Sequence, residues 1–219
     1  RGTIIHHGMG SWISKLSGSL NETLPDNVKI NGGSGVIGAG YSESKHGPLP
    51  LGNPNAGIQN VKKSGYVEEN MYNRRLSASR TFNKHFSEDF PQKQVRAYSD
   101  LYDNAISLMK SRDLESFDLT KETEETRDRY GRDNFGQGCL LARRLIENKV
   151  RFVEVSYGGW DMHNDVFGNM ETRGAVLDSG LSSLLQDLDM RGLLSQTMVV
   201  VASEFGRSPE IKAGRVGRD

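Results

Sequence analysis

Two short polar segments carry the residue types that could do chemistry. In the first, Ser156-Tyr157-Gly158-Gly159-Trp160-Asp161-Met162-His163-Asn164-Asp165 sets a carboxylate and an imidazole two positions apart. In the second, Ser203-Glu204-Phe205-Gly206-Arg207 adds another carboxylate and a guanidinium. In an extended segment, Asp161 and His163 point to one side. A carboxylate oxygen with an imidazole nitrogen is a borderline ligand set, suited to Zn, Mn or Fe more than to Ca. Glu204 is a candidate third contact, and Arg207 can hold an anionic group in bidentate fashion. Plainer roles fit the same residues. Asp161 can cap a turn or helix beside Gly158-Gly159, His163 can be a solvated loop side chain, and Glu204 can pair with Arg207. Spacing alone leaves both readings open.

Other residues carry weaker signals. His6-His7 and His46 sit in Gly- or Pro-containing loop sequence, and His85 falls near an expected helix end, where a cation suits the helix dipole. Gly33-Ser34-Gly35-Val36-Ile37-Gly38 matches the dinucleotide fingerprint in form only. Pro48, Pro50 and Pro54 follow where a helix is required, so the match is rejected. No Walker-type phosphate loop or Gly-x-Ser-x-Gly elbow occurs. Asn21-Glu22-Thr23 has the form of a glycosylation sequon, at a frequency close to chance. The single cysteine, Cys139, excludes an internal disulfide and argues against a Cys-based metal site.

The elements that must position the polar segments are legible from periodicity. Val150 to Val155 alternates and is rich in β-formers, which predicts a strand. Met170 to Arg191 places Leu177, Leu181, Leu184 and Leu188 on one helical face. Thr197 to Ala202 is a continuous apolar run, as a strand covered on both faces requires. Strand, helix, strand with a right-handed crossover brings both polar segments to one sheet edge, where ligands bind in open parallel sheets.

Upstream, residues 1–66 read as loop-rich, with a short helix at Met9–Leu16, a strand at Val28–Ile30 and a long irregular stretch from Gly32 to Asn60. Residues 67–148 read as helical. One face is formed by Val95, Tyr98, Tyr102, Ala105 or Ile106, and Met109. After Asp118 a helix start is expected, with an end or break at Gly131. A last stripe joins Phe135, Cys139, Ala142 and Ile146, with Arg143, Arg144 and Glu147 facing out. Cys139 on that stripe reads as a small core residue. The last unit spans 149–207.

A buried parallel strand needs neighbours, and the chain offers few beyond Thr3–Ile5, Val28–Ile30 and Val36-Ile37. The expectation is therefore a single incomplete α/β domain belonging to a larger one. The alternative is a small mixed sheet completed by the N-terminal segments.

The 219 residues carry 28 basic and 28 acidic side chains, so no global field favours nucleic acid or an anionic membrane. No apolar run approaches the roughly 20 residues needed to span a bilayer.

Four blocks in order carry a resemblance. Gly138-Cys139-Leu140-Leu141-Ala142-Arg143-Arg144-Leu145-Ile146-Glu147, Val150 to Val155, Gly158-Gly159-Trp160-Asp161-Met162-His163 and Ser203-Glu204-Phe205-Gly206-Arg207-Ser208-Pro209 resemble the bacterial domain of unknown function 1501. Gly10-Ser11-Trp12 and Leu24-Pro25 through Gly32-Gly33 fit it too. That family is similar to the alkaline phosphatase and sulfatase superfamily, and the resemblance implies a partial alkaline-phosphatase-like parallel sheet flanked by helices. It implies export to the periplasm or beyond the cell, and a divalent metal such as Zn, Mn or Ca held by Asp161, His163, Glu204 and Asp219. Arg207 and Trp160 would contact a small anionic ester or glycan substrate. The superfamily's nucleophile would lie outside this chain, and Ser203-Glu204 stands where its pattern has Asp-His. The implied activity is metal-dependent hydrolysis of phosphate or sulfate esters. The alternative is a non-catalytic binding protein that keeps the fold.

Overall fold

The computed structural model describes residues 6–32, 38–59, 61, 64–203 and 206–218. The possible strands at Thr3–Ile5 and Val36-Ile37, and the rejected fingerprint apart from Gly38, lie outside the described residues. Helix α1 (Met9–Ser17) leads to strand β1 (Asn27–Ile30), and β2 (Leu49–Leu51) follows. Next come α2 (Glu69–Asp89), α3 (Lys93–Lys110), α4 (Glu124–Tyr130) and α5 (Asn134–Glu147), then β3 (Phe152–Val155) and α6 (Val166–Met190). Among the described residues the sheet has three strands in the order β2-β1-β3, all parallel. The α/β class and the parallel sheet are thus present.

Register sorts the side chains onto two faces. Asn27 pairs with Phe152 and Lys29 with Glu154, and the latter two form an ion pair at 2.7 Å. That face meets α1, where Gly10 leaves room for Asn27 and Phe152. The other face presents Val28, Ile30, Val153 and Val155 to α5, and Val28 and Ile30 are fully buried. Helix α5 lies between the sheet and α6, packing on both. Its start is set by Asp133, whose Oδ1 accepts from the N–H groups of Phe135 and Gly136 at 2.9 Å each. Cys139 is buried in the core, as its stripe predicts.

Four expectations need correction. Thr197–Ala202 is not a strand. It lies outside the sheet, with Met198, Val200 and Val201 exposed by 88%, 64% and 68%. Side-chain fit to a pleated surface does not by itself supply a backbone to pair with, so the strand–helix–strand unit over 149–207 is observed as strand and helix only. Inside the presumed loop of 32–60, β2 forms despite Pro50, which an edge strand tolerates. Tyr98 turns outward (64% exposed), and Ile106 and Leu108, on different sides of α3, are its buried apolar residues. The fourth helix starts at Thr123, whose hydroxyl accepts from the Thr126 N–H. Asp118 instead opens a separate 3-10 turn, Leu119–Lys121.

Arg143 is also reversed from the sequence reading: it is 2% exposed. Its Nη2 and Nη1 reach Glu122 at 2.6 Å and Glu147 at 2.7 Å, and its Nε lies 3.3 Å from Asp187. Asp187, on α6, also accepts from Tyr130 Oη at 2.9 Å and Arg129 Nη2 at 2.5 Å. A buried guanidinium is tolerable because carboxylates from three segments surround it. Burial pushes the Asp187 carboxyl up, but the hydrogen bonds from Arg129 and Tyr130 and the charges of Arg129 and Arg143 win, leaving it below the usual range.

Candidate functional site

The chain leaves β3 at Val155 and crosses the carboxyl ends of the strands. Tyr157 stacks on Phe135 with centroids 4.6 Å apart, and Trp160 packs edge-on against Tyr157 at 5.4 Å. Arg173 of α6 holds this crossing by donating from Nη1 to the Gly158 carbonyl at 2.9 Å. Gly159 takes φ +86°, and a side chain there would run into the Arg173 guanidinium.

Asp161 and His163 follow, and the structure brings them together. His163 Nε2 lies 2.9 Å from Asp161 Oδ1, and Arg207 Nη2 lies 2.7 Å from the same oxygen. Arg207 therefore reaches Asp161 across 46 residues of chain, and one carboxylate oxygen meets both an imidazole and a guanidinium. Glu204 and Asp219 lie outside the described residues, so neither can be placed in this cluster. Among the described residues no group of three or more His, Cys, Asp and Glu side chains converges as a metal site. Asp161 does not cap the helix that follows. Asp165 does so, accepting from the Gly168 N–H at 3.3 Å from a left-handed conformation (φ 43°).

Two buried apolar side chains, Met162 and Val166, bracket the segment carrying His163. A C-terminal turn closed by the Lys212–Gly217 bridge docks on it. Asp165 N–H donates to Arg215 O at 3.0 Å, Val166 N–H to Val216 O at 2.7 Å, and Arg218 N–H to Met162 O at 3.0 Å. Gly217 sits so close to the His163 backbone that no side chain fits there. The turn fixes the backbone around His163.

Sequence reasoning missed a cleft of about 320 Å³. It opens where all three strands end: Asn31 follows β1, Gly52 follows β2 and Ser156 follows β3. Asp133, Asn134 and Phe135 at the start of α5, Tyr157 and Gly158 after β3, and Val176 of α6 complete its described lining. Asn31 takes φ 58° and donates from Nδ2 to the Asn134 carbonyl at 2.8 Å, while its Oδ1 is buried without a partner. The one advance signal was the run of Asn, Gly and Ser directly after each strand.

Two other histidines, His7 and His46, have structural partners. His7, expected in an exposed loop, is packed between Trp12 and Tyr41 and contacts Ser42. His46 Nδ1 lies 2.8 Å from Ser14 Oγ, which donates to Asp26 at 3.0 Å. Since the single hydroxyl proton goes to Asp26, the imidazole is the donor to Ser14. Burial, then the nearby Lys45 charge, lowers the His46 pKa.

The fold and this cluster define an α/β protein with a polar site beyond the carboxyl ends of a parallel sheet. The family described as protein of unknown function (DUF1501) matches residues 2–219, and the chain belongs to it. Neither a curated protein nor a solved structure matches the chain. No described helix is long and apolar enough to cross a membrane.

Proposed function

We propose that this chain carries part of the site of an exported, metal-dependent hydrolase of phosphate or sulfate esters, built on an alkaline-phosphatase-like sheet. The observation that carries the reading is the 2.9 Å separation of Asp161 Oδ1 and His163 Nε2 beyond the end of β3. Two donors about 3 Å apart suit neighbouring positions on one divalent ion with bonds of about 2.1 Å. Glu204 and Asp219 are the proposed further ligands. A bound ion would polarise the ester and help to activate the attacking group. This chain's own residues bind and orient. Arg207, within reach of the same carboxylate, offers its N–H fork to the ester anion. Trp160, packed on Tyr157, shields one side. The nucleophile is assigned to no residue here, and export rests on the family resemblance.

One observation favours the second reading, a non-catalytic binding protein: Arg207 already supplies Asp161 with a cationic partner at 2.7 Å. Hydrolysis of p-nitrophenyl phosphate and p-nitrophenyl sulfate in the presence of Zn or Mn separates the two. The hydrolase predicts turnover that Asp161→Ala and His163→Ala each abolish. Turnover that both variants leave unchanged, or no binding of Zn or Mn by the parent protein, overturns it.

A further inference from the structure

We propose that the cleft beyond β1, β2 and β3 binds one ring of a neutral polyhydroxylated molecule, a monosaccharide unit. That this ring is the alcohol half of an ester rests on the proposed hydrolase; its binding does not.

Position comes first. In parallel sheets the carboxyl ends of the strands are where ligands sit, and here three strand ends meet at one opening. Its volume of about 320 Å³ is near the lower limit for small-molecule sites, roughly 300–1,000 Å³, which suits one ring.

Charge then narrows the class. The start of α5 opens on the cleft and would attract an anion. Asp133 already holds a carboxylate there, bonded to the Phe135 and Gly136 N–H groups. Among the described residues no Lys, Arg or His lines the cleft, and Arg173, which reaches its Gly158, donates there to a neutral carbonyl, so an anion entering the cleft would meet the Asp133 carboxylate.

Hydrogen-bonding capacity points to hydroxyl groups. The Ser156 hydroxyl and the Asn134 side-chain amide have no hydrogen bond to another described residue, and Asn31 Oδ1 is a buried acceptor without a partner. Amides, a hydroxyl and a carboxylate present donors and acceptors together. A sugar hydroxyl answers both, because it donates and accepts at one atom. Satisfying a buried orphan acceptor also removes a desolvation penalty. The stacked Phe135 and Tyr157 rings add an apolar wall, the usual complement to a few polar groups in small-molecule pockets.

The test is a titration of the intact chain with methyl glucoside, methyl galactoside and methyl mannoside, followed by amide NMR shifts at Gly52, Ser156 and Gly158. At least one glycoside should shift these signals. Gly52 is a clean blocking position, because a side chain there meets nothing within 4 Å and its φ is outside the left-handed region. Gly52→Trp should weaken binding by about tenfold or more, and Ser156→Ala by roughly two- to tenfold, the range of one hydrogen bond. Asp161→Ala should bind the glycoside as the parent does, which separates this site from the proposed metal ligands. Absence of shifts with all three glycosides overturns the proposal. So does equal binding by Gly52→Trp, or binding of inorganic sulfate or phosphate at these residues in place of the glycosides.

Discussion

Replacing Asp187 with alanine should cost far more stability than an ordinary helix substitution. Its carboxylate is 2% exposed, and it meets Arg129 at 2.5 Å, Tyr130 at 2.9 Å and Arg143 at 3.3 Å. Removing one partner of a buried ion pair costs about 3–5 kcal/mol, mostly because a buried charge is left behind. Arg143 keeps Glu122 and Glu147, so the lower end, about 3 kcal/mol, applies. In a domain of this size that lowers Tm by roughly 6–12 °C. The effect should depend on pH in a definite direction. The Asp187 carboxyl titrates below its unfolded value of 3.8, so its contribution is complete above that value and fades as pH falls through the folded pKa. Urea unfolding of parent and variant at pH 7, repeated in steps below pH 4, measures both parts. A difference below about 1 kcal/mol at pH 7 would show that the network is a surface-like contact. A difference that grows as pH falls would contradict the direction of the shift.

Burial pushes the Cys139 thiol up to about 12 from an ordinary 9, so at pH 8 its thiolate fraction falls by about a thousandfold. Labelling by a disulfide reagent should be slower by at least that factor in native protein than in urea. Gly217→Val should detach the C-terminal turn, because no side chain fits against the His163 backbone. Hydrogen exchange at the Asp165 and Val166 amides, bonded to Arg215 and Val216, should then rise about tenfold or more; unchanged exchange would show that the turn does not hold this segment.

Much of this architecture can be read from local pattern. The Phe135–Ile146 stripe, the alternation of Val150–Val155 and the leucines of α6 each gave the right element, because one buried face writes its period into the chain. Elsewhere the pattern misled. Arg143 looks like an outward residue paired with Glu147 one turn on, until Glu122 and Asp187 arrive from two other segments. Thr197–Ala202 has every local feature of a strand, yet pairing depends on another backbone, which composition cannot reveal. Pro50 hid β2 because proline argues against a central strand and says little about an edge. At the site, the two-residue spacing of Asp161 and His163 did correspond to contact. Arg207 meets Asp161, a long-range pairing that spacing could not reveal. The cleft draws on Asn31, Gly52, Asn134 and Ser156, none of them chemically conspicuous alone.

The most direct test of the central claim is a calorimetric titration of Zn and Mn into the intact protein and into Asp161→Ala. The proposed site predicts one ion bound per chain by the parent, with affinity reduced about a hundredfold or more when a direct ligand is lost. Equal stoichiometry and affinity in the two proteins would contradict it.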